Sequence, residues 1–99
     1  MGSSLAYAAA TVEGYIDSYL AAARLGNVEA QVELGMIFSS GSGGTVVDLV
    51  EAHKWFNLAA LNGSEQAHFA RADIAGEMTP REIAVAQKAA RAFLVAARA

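Results

Sequence analysis

His53 and His68 are the two histidines of this 99-residue sequence, and histidine is the side chain whose charge changes near neutral pH. Imidazole can also hold zinc, which needs three or four ligands in a closing geometry. No HxxxH or HExxH spacing is present, and there is no cysteine. Thiolate nucleophiles, disulfides and Cys-based zinc sites are therefore excluded. A small metal-dependent regulator or enzyme using His53, His68 and a nearby carboxylate is the weaker reading, and both histidines are expected on helix surfaces. Glu29 and Glu33 lie one helical turn apart and read as a solvated face rather than an acid–base pair. The stretch GSGGTV (Gly41–Val46) is glycine-rich. It lacks the Gly-Lys-Ser/Thr of a phosphate-binding loop, no strand precedes it, and Asp48 would compete with an anion at the following helix. It reads as a turn that needs φ > 0 at Gly41 or Gly43. Ser39, Ser40 and Ser42 accompany those glycines and form no nucleophile triad. Arg81, Lys88, Arg91 and Arg98 fall within about a third of a helical circumference. That basic stripe would suit an acidic partner, or be the solvated back of a terminal helix.

No catalytic residue, metal or cofactor is thus assigned. Composition narrows the class further. The chain is 55% apolar and 17% charged, which argues against disorder. Its net charge of -3 is too acidic for a protein that neutralises nucleic-acid phosphates. The charge is uneven: residues 1–50 carry -4 and residues 51–99 carry +1. No run approaches the roughly 20 apolar residues that span a bilayer, so no membrane insertion is expected. The N-terminal stretch lacks the basic start of a signal peptide, and the compartment stays open between cytoplasm and periplasm. Met1–Ser4 reads as a cloning remnant, which would make the chain a domain of a longer protein.

The elements that must carry these residues are helices. Apolar residues recur at helical spacing from about Thr11 to Leu25, where Gly26-Asn27 stops the run. A second helix is expected from about Glu29 to Ser40. Asp48 is placed to cap a third, Leu49–Leu61, which Asn62-Gly63 ends. A fourth follows from about Glu65 to Gly76. In Thr79-Pro80-Arg81-Glu82, threonine at the N-cap, proline at the first helical position and glutamate at the third predict a capping box opening a last helix, Pro80 to about Ala97. No segment alternates with period two, so no strand is expected. The prediction is five helices in antiparallel pairs. On the third helix, Ala52, Trp55, Phe56, Ala59 and Gly63 are read as one tapered face, with Trp55 buried.

The sequence also matches itself at an offset of 37 residues. That offset superposes Ala22-Ala23, Ala59-Ala60 and Ala96-Ala97, the aromatics Tyr19, Phe56 and Phe93, and Gly26 with Gly63. It also pairs Ala30 with Ala67 and Val32 with Phe69. Periods of this size mark helix-turn-helix solenoids.

In Ala30, Leu34-Gly35, Phe38, Gly41, Gly43, Asp48, Ala52, Trp55, Ala59-Ala60, Gly63 and Ala67, the chain resembles the Sel1-like repeats, relatives of the tetratricopeptide repeats. Phe38 stands where the family has tyrosine, and the loop before Asp48 is one residue longer than the common form. The resemblance implies an all-α superhelix with a partial repeat at 5–29, a full repeat at 30–66, and a degenerate repeat with a capping helix at 67–99. It also implies a non-catalytic interaction module that presents a concave face to a protein or peptide.

In such a stack the first helix of each pair lines the concave surface. Glu29, Val32, Met36, Ser39 and Ser40 then form an inner stripe, which the offset maps to Gln66, Phe69, Asp73, Gly76 and Glu77. Val32, Met36, Ser39, Phe69 and Asp73 are the candidate partner-binding residues. The equal alternative is that Val32 and Phe69 pack on each other between helices. Val12, Ile16 and Leu20 at one end, and Ile83, Phe93 and Leu94 at the other, need cover. Either self-association or flanking repeats would supply it.

Overall fold

Four side chains decide where the helices begin. Asn27 Oδ1 accepts from Ala30 N (2.8 Å), Asp48 Oδ1 from Glu51 N (3.1 Å), and Ser64 Oγ from Ala67 N (3.0 Å). At Thr79 the capping box is complete: its hydroxyl accepts from Glu82 N (3.1 Å) while Glu82 Oε1 accepts from Thr79 N (2.9 Å). Each satisfies N–H groups that a helix start leaves without partners. The computed structural model describes residues 4–98, with side chains from residue 14 onward. Its helices are α1 (Ser4–Arg24), α2 (Val28–Ser40), α3 (Leu49–Leu61), α4 (Glu65–Ala75) and α5 (Pro80–Ala97). One turn of 3-10 helix occupies Ser42–Gly44, and there is no strand among the described residues. The chain is all-helical, as its periodicity predicted.

One boundary differs from expectation by more than a residue. Helix α1 starts at Ser4, well before Thr11. The segment Leu5–Ala10 is mostly alanine, which propagates a helix without needing an apolar face, so periodicity does not detect it. The Val12 side chain and residues 1–3 lie outside the described residues. Helix α4 ends at Ala75, with Gly76 as its cap.

The turns follow the glycines. Gly41 closes α2 at φ 73°, its N–H donating to Ile37 O, and a Cβ there would meet Thr45 O at 2.9 Å. The loop is tied back by Asp48 N donating to Phe38 O (2.8 Å). The α1–α2 and α3–α4 turns have the same hydrogen bonds at positions 37 residues apart. Gly26 N reaches Ala23 O (3.0 Å) and Asn27 N reaches Ala22 O (3.1 Å). Likewise Gly63 N reaches Ala60 O (3.0 Å) and Ser64 N reaches Ala59 O (3.0 Å). Each turn then supplies the side-chain cap of the next helix.

Helix α2 packs on α1 and α3, and α3 packs on α4 and α5. The last helix thus runs over α3 more than over α4, its neighbour in sequence. This makes α3 central and corrects the expectation of one tapered face. Trp55 and Phe56 are about 100° apart on the helix and enter different clusters. Phe56 lies with Val32, Ala52, Ala59, Ala67, Ile74, Met78 and Ala86. Trp55 lies with Ala23, Ala30, Leu34, Leu58 and Ala90, in edge contact with Phe93 (5.5 Å). The Trp55 ring is buried as expected, with Nε1 donating to Glu51 Oε2 (3.1 Å) and the Lys54 ammonium 4.5 Å from its centre. The alanines of α5, Ala86 and Ala90, let that helix approach α3 closely. Ile83, Phe93 and Leu94 pack against these clusters rather than waiting for outside cover.

Candidate functional site

Helix α2 presents two parallel rows at four-residue spacing, Val28–Val32–Met36 and Glu29–Glu33. The first row forms the floor of an open groove of about 510 Å³ and the second forms its rim. The opposite wall is Asn62, Gly63, Ser64 and Gln66, which are the α3–α4 turn and the first turn of α4. The shared turn geometry described above is what sets that wall against α2. Gln66 Nε2 lies 3.9 Å from Met36 Sδ and closes one end. A polar bridge underneath holds the walls in place. Gln31 is buried; its Nε2 donates to Ala23 O (3.1 Å) and its Oε1 accepts from Asn62 Nδ2 (3.2 Å). One side chain thereby joins the end of α1, the first turn of α2 and the end of α3.

The groove offers a narrow apolar strip beside two carboxylates, with amide and hydroxyl groups opposite. No nucleophile–base pair lies in it, and it suits a segment carrying aliphatic and cationic side chains together.

The expected partner residues divide. Met36 is 44% exposed and lines the groove. Val32 is 9% exposed and is a core residue whose edge reaches the groove floor, so it is not free. Neither earlier alternative describes it, because Phe69, at 60% exposure, is outside that core cluster. Phe69 stands one turn beyond Gln66 on α4, in edge contact with His68 (5.6 Å), and Asp73 is exposed a further turn on. Neither lines the groove. The Ser39 hydroxyl turns back to Met36 O (3.2 Å) within its own helix. Arg81, Lys88, Arg91 and Arg98 are exposed on α5.

The histidines also separate. His68 is exposed, with Nδ1 beside the Arg71 guanidinium (3.1 Å). His53 is 3% exposed and its Nδ1 has no hydrogen-bond partner, which corrects the expectation of a surface residue. His53 lies on α3 beyond Phe56, on the side away from Trp55, and Arg71 of α4 is near it. Burial pushes the His53 pKa down, and the nearby Arg71 charge adds to this. Arg71 itself donates to Asn57 Oδ1. Among the described residues, no three His, Asp or Glu side chains gather closely enough to hold a metal ion.

Sequence reasoning missed Gln31 and the Asn62–Ser64 part of the wall, and it read His53 as a surface residue. Gln31 gave one available signal, a polar residue directly beside Ala30 on the packing face. No family model matches the chain, and no curated protein matches it.

Proposed function

We propose that the chain is a short α-solenoid of Sel1-like repeats and serves as a non-catalytic protein-interaction module. The partner segment lies in the α2 groove, across Val28, Val32 and Met36 and beneath the Glu29–Glu33 rim. The groove carries this reading, because it sets an apolar floor beside two carboxylates of the same helix. Two further observations support the repeat architecture: the equivalent turn bonds 37 residues apart, and the packing of α5 on α3. In the offset these two helices are equivalent, as neighbours in a stack would be.

Selection of a random-peptide library on the folded protein tests the reading. Enriched peptides should combine Lys or Arg with Val, Leu or Ile. Their amide shift changes should cluster at Val28–Met36 and Asn62–Gln66, and Met36→Lys should abolish binding. Perturbations confined to α5, or to the exposed Phe69–Asp73 face, would place the docking surface elsewhere.

A further inference from the structure

The surface complementary to this groove is present on the molecule itself. Helix α5 faces α3 through Ala86 and Ala90. Its opposite face carries Arg81, Val85, Lys88, Ala92 and Val95, at successive spacings of four, three, four and three. All five are exposed, Val85 at 51% and Val95 at 70%. Such spacing keeps them within one narrow stripe. The stripe is aliphatic along its line and cationic at two points. The groove is aliphatic along Val28–Val32–Met36 and anionic at two points. At about 1.5 Å rise per residue, Val85 to Val95 spans about 15 Å and Val28 to Met36 about 12 Å, so the lengths agree. Arg81 and Lys88 are about 10 Å apart and Glu29 and Glu33 about 6 Å, a difference that flexible basic side chains can bridge.

A chain cannot seat its own stripe, because α5 is held on α3 by the opposite face. We infer that the α2 groove binds the outer face of α5 from a second copy, joining copies head to tail. This rests on the groove being the docking surface, and it names the occupant. Charge supports it, with -4 on residues 1–50 and +1 on residues 51–99. The contact joins two different surfaces, so each added copy leaves one groove and one α5 stripe free and the assembly can grow.

Sedimentation of the full chain tests the inference. The mean mass should rise with concentration up to about 1 mM and fall as salt increases from about 0.05 to 0.5 M. Glu29→Lys with Glu33→Lys removes the acceptor rim; Arg81→Glu with Lys88→Glu removes the donor. Each double variant should associate about tenfold or more weakly than the parent. An equimolar mixture of Arg81→Glu/Lys88→Glu with Glu29→Gln/Glu33→Gln should form a one-to-one dimer that does not grow, since one copy keeps a competent stripe, the other a competent groove, and the neutral groove does not attract the reversed stripe. If either reversal disturbs the helical circular-dichroism spectrum, Glu29→Gln with Glu33→Gln or Arg81→Gln with Lys88→Gln replaces it. A parent that stays monomeric at about 1 mM overturns the inference, as do variants that associate like the parent or a mixture that fails to pair. Library peptides that still bind Val28–Met36 on a monomeric parent would leave the docking groove standing and remove only the second copy.

Discussion

Gly35 lets α2 lie directly against the Phe56 ring of α3. A Cβ built there would run into the Phe56 ring, meeting Cδ1, Cε1 and Cγ together. The ring is 2% exposed and enclosed by Val32, Ala52, Ala59 and Ala67, so it has no open side to move toward. Two effects of Gly35→Ala oppose each other. Alanine favours an interior helical position by about 1 kcal/mol over glycine. Overpacking a filled core costs about 1–3 kcal/mol, and contact with three ring atoms places this case toward the upper end. The net loss should be about 1–2 kcal/mol, a fall in melting temperature of roughly 4–15 °C for a domain of this size. Gly14→Ala is the control. It lies inside α1, where an added Cβ meets nothing within 4 Å, so only the gain in propensity should appear. Phe56→Leu supplies the second corner of a double-mutant cycle. The combined variant should be more stable than the two single effects predict, by about 1–2 kcal/mol. Thermal and urea unfolding followed by circular dichroism reads all four proteins. A Gly35→Ala variant at least as stable as the parent, or strictly additive effects, would refute the close α2–α3 approach.

Trp55→Ala should cost about 3–5 kcal/mol and can abolish folding of so small a domain; melting within a few degrees of the parent would mean the ring is not core. Gln31→Leu removes two hydrogen bonds, to Ala23 O and from the exposed Asn62 amide, and should cost about 1–3 kcal/mol, read by urea unfolding, with Asn62→Ala in the same background costing little more. His53 has a lowered pKa in the folded state. The unfolded chain therefore binds the proton first, and stability should be constant above about pH 6.5 and fall as pH drops below it. In His53→Gln that part of the decline should disappear; an unchanged pH profile would assign it to other groups.

Much of the fold is legible in local chemistry. Asp48, Thr79, Pro80 and Glu82 mark helix starts through hydrogen bonds made within one turn of chain, and Gly26, Gly41 and Gly63 mark ends through backbone conformations that other residues resist. The site is less legible because it depends on which helices meet. Trp55 and Phe56 look like one aromatic step in sequence, yet α3 is central and sends them into separate clusters. Val32 and Met36 share a row, and only the position of α4 decides that one is core and the other exposed. The offset of 37 correctly aligned the two turns, but it carried the inner stripe along α4 to Phe69 and Asp73. The groove instead stops at Gln66, where α4 is nearest Met36. His53 was assigned to the surface by residue type alone, and nothing local reports that α3 is covered on that side.

The groove is the centre of the account, and one titration addresses it directly. Arg81→Glu/Lys88→Glu protein, labelled with nitrogen-15, keeps the groove and lacks the stripe. Unlabelled Glu29→Gln/Glu33→Gln protein, whose own groove is neutral, is then added, and amide shifts are followed. The account predicts saturable changes concentrated at Val28–Met36 and Asn62–Gln66, lost when Met36→Lys is built into the labelled copy. Changes centred instead on the exposed Phe69–Asp73 face of α4, or no change at all, would contradict it.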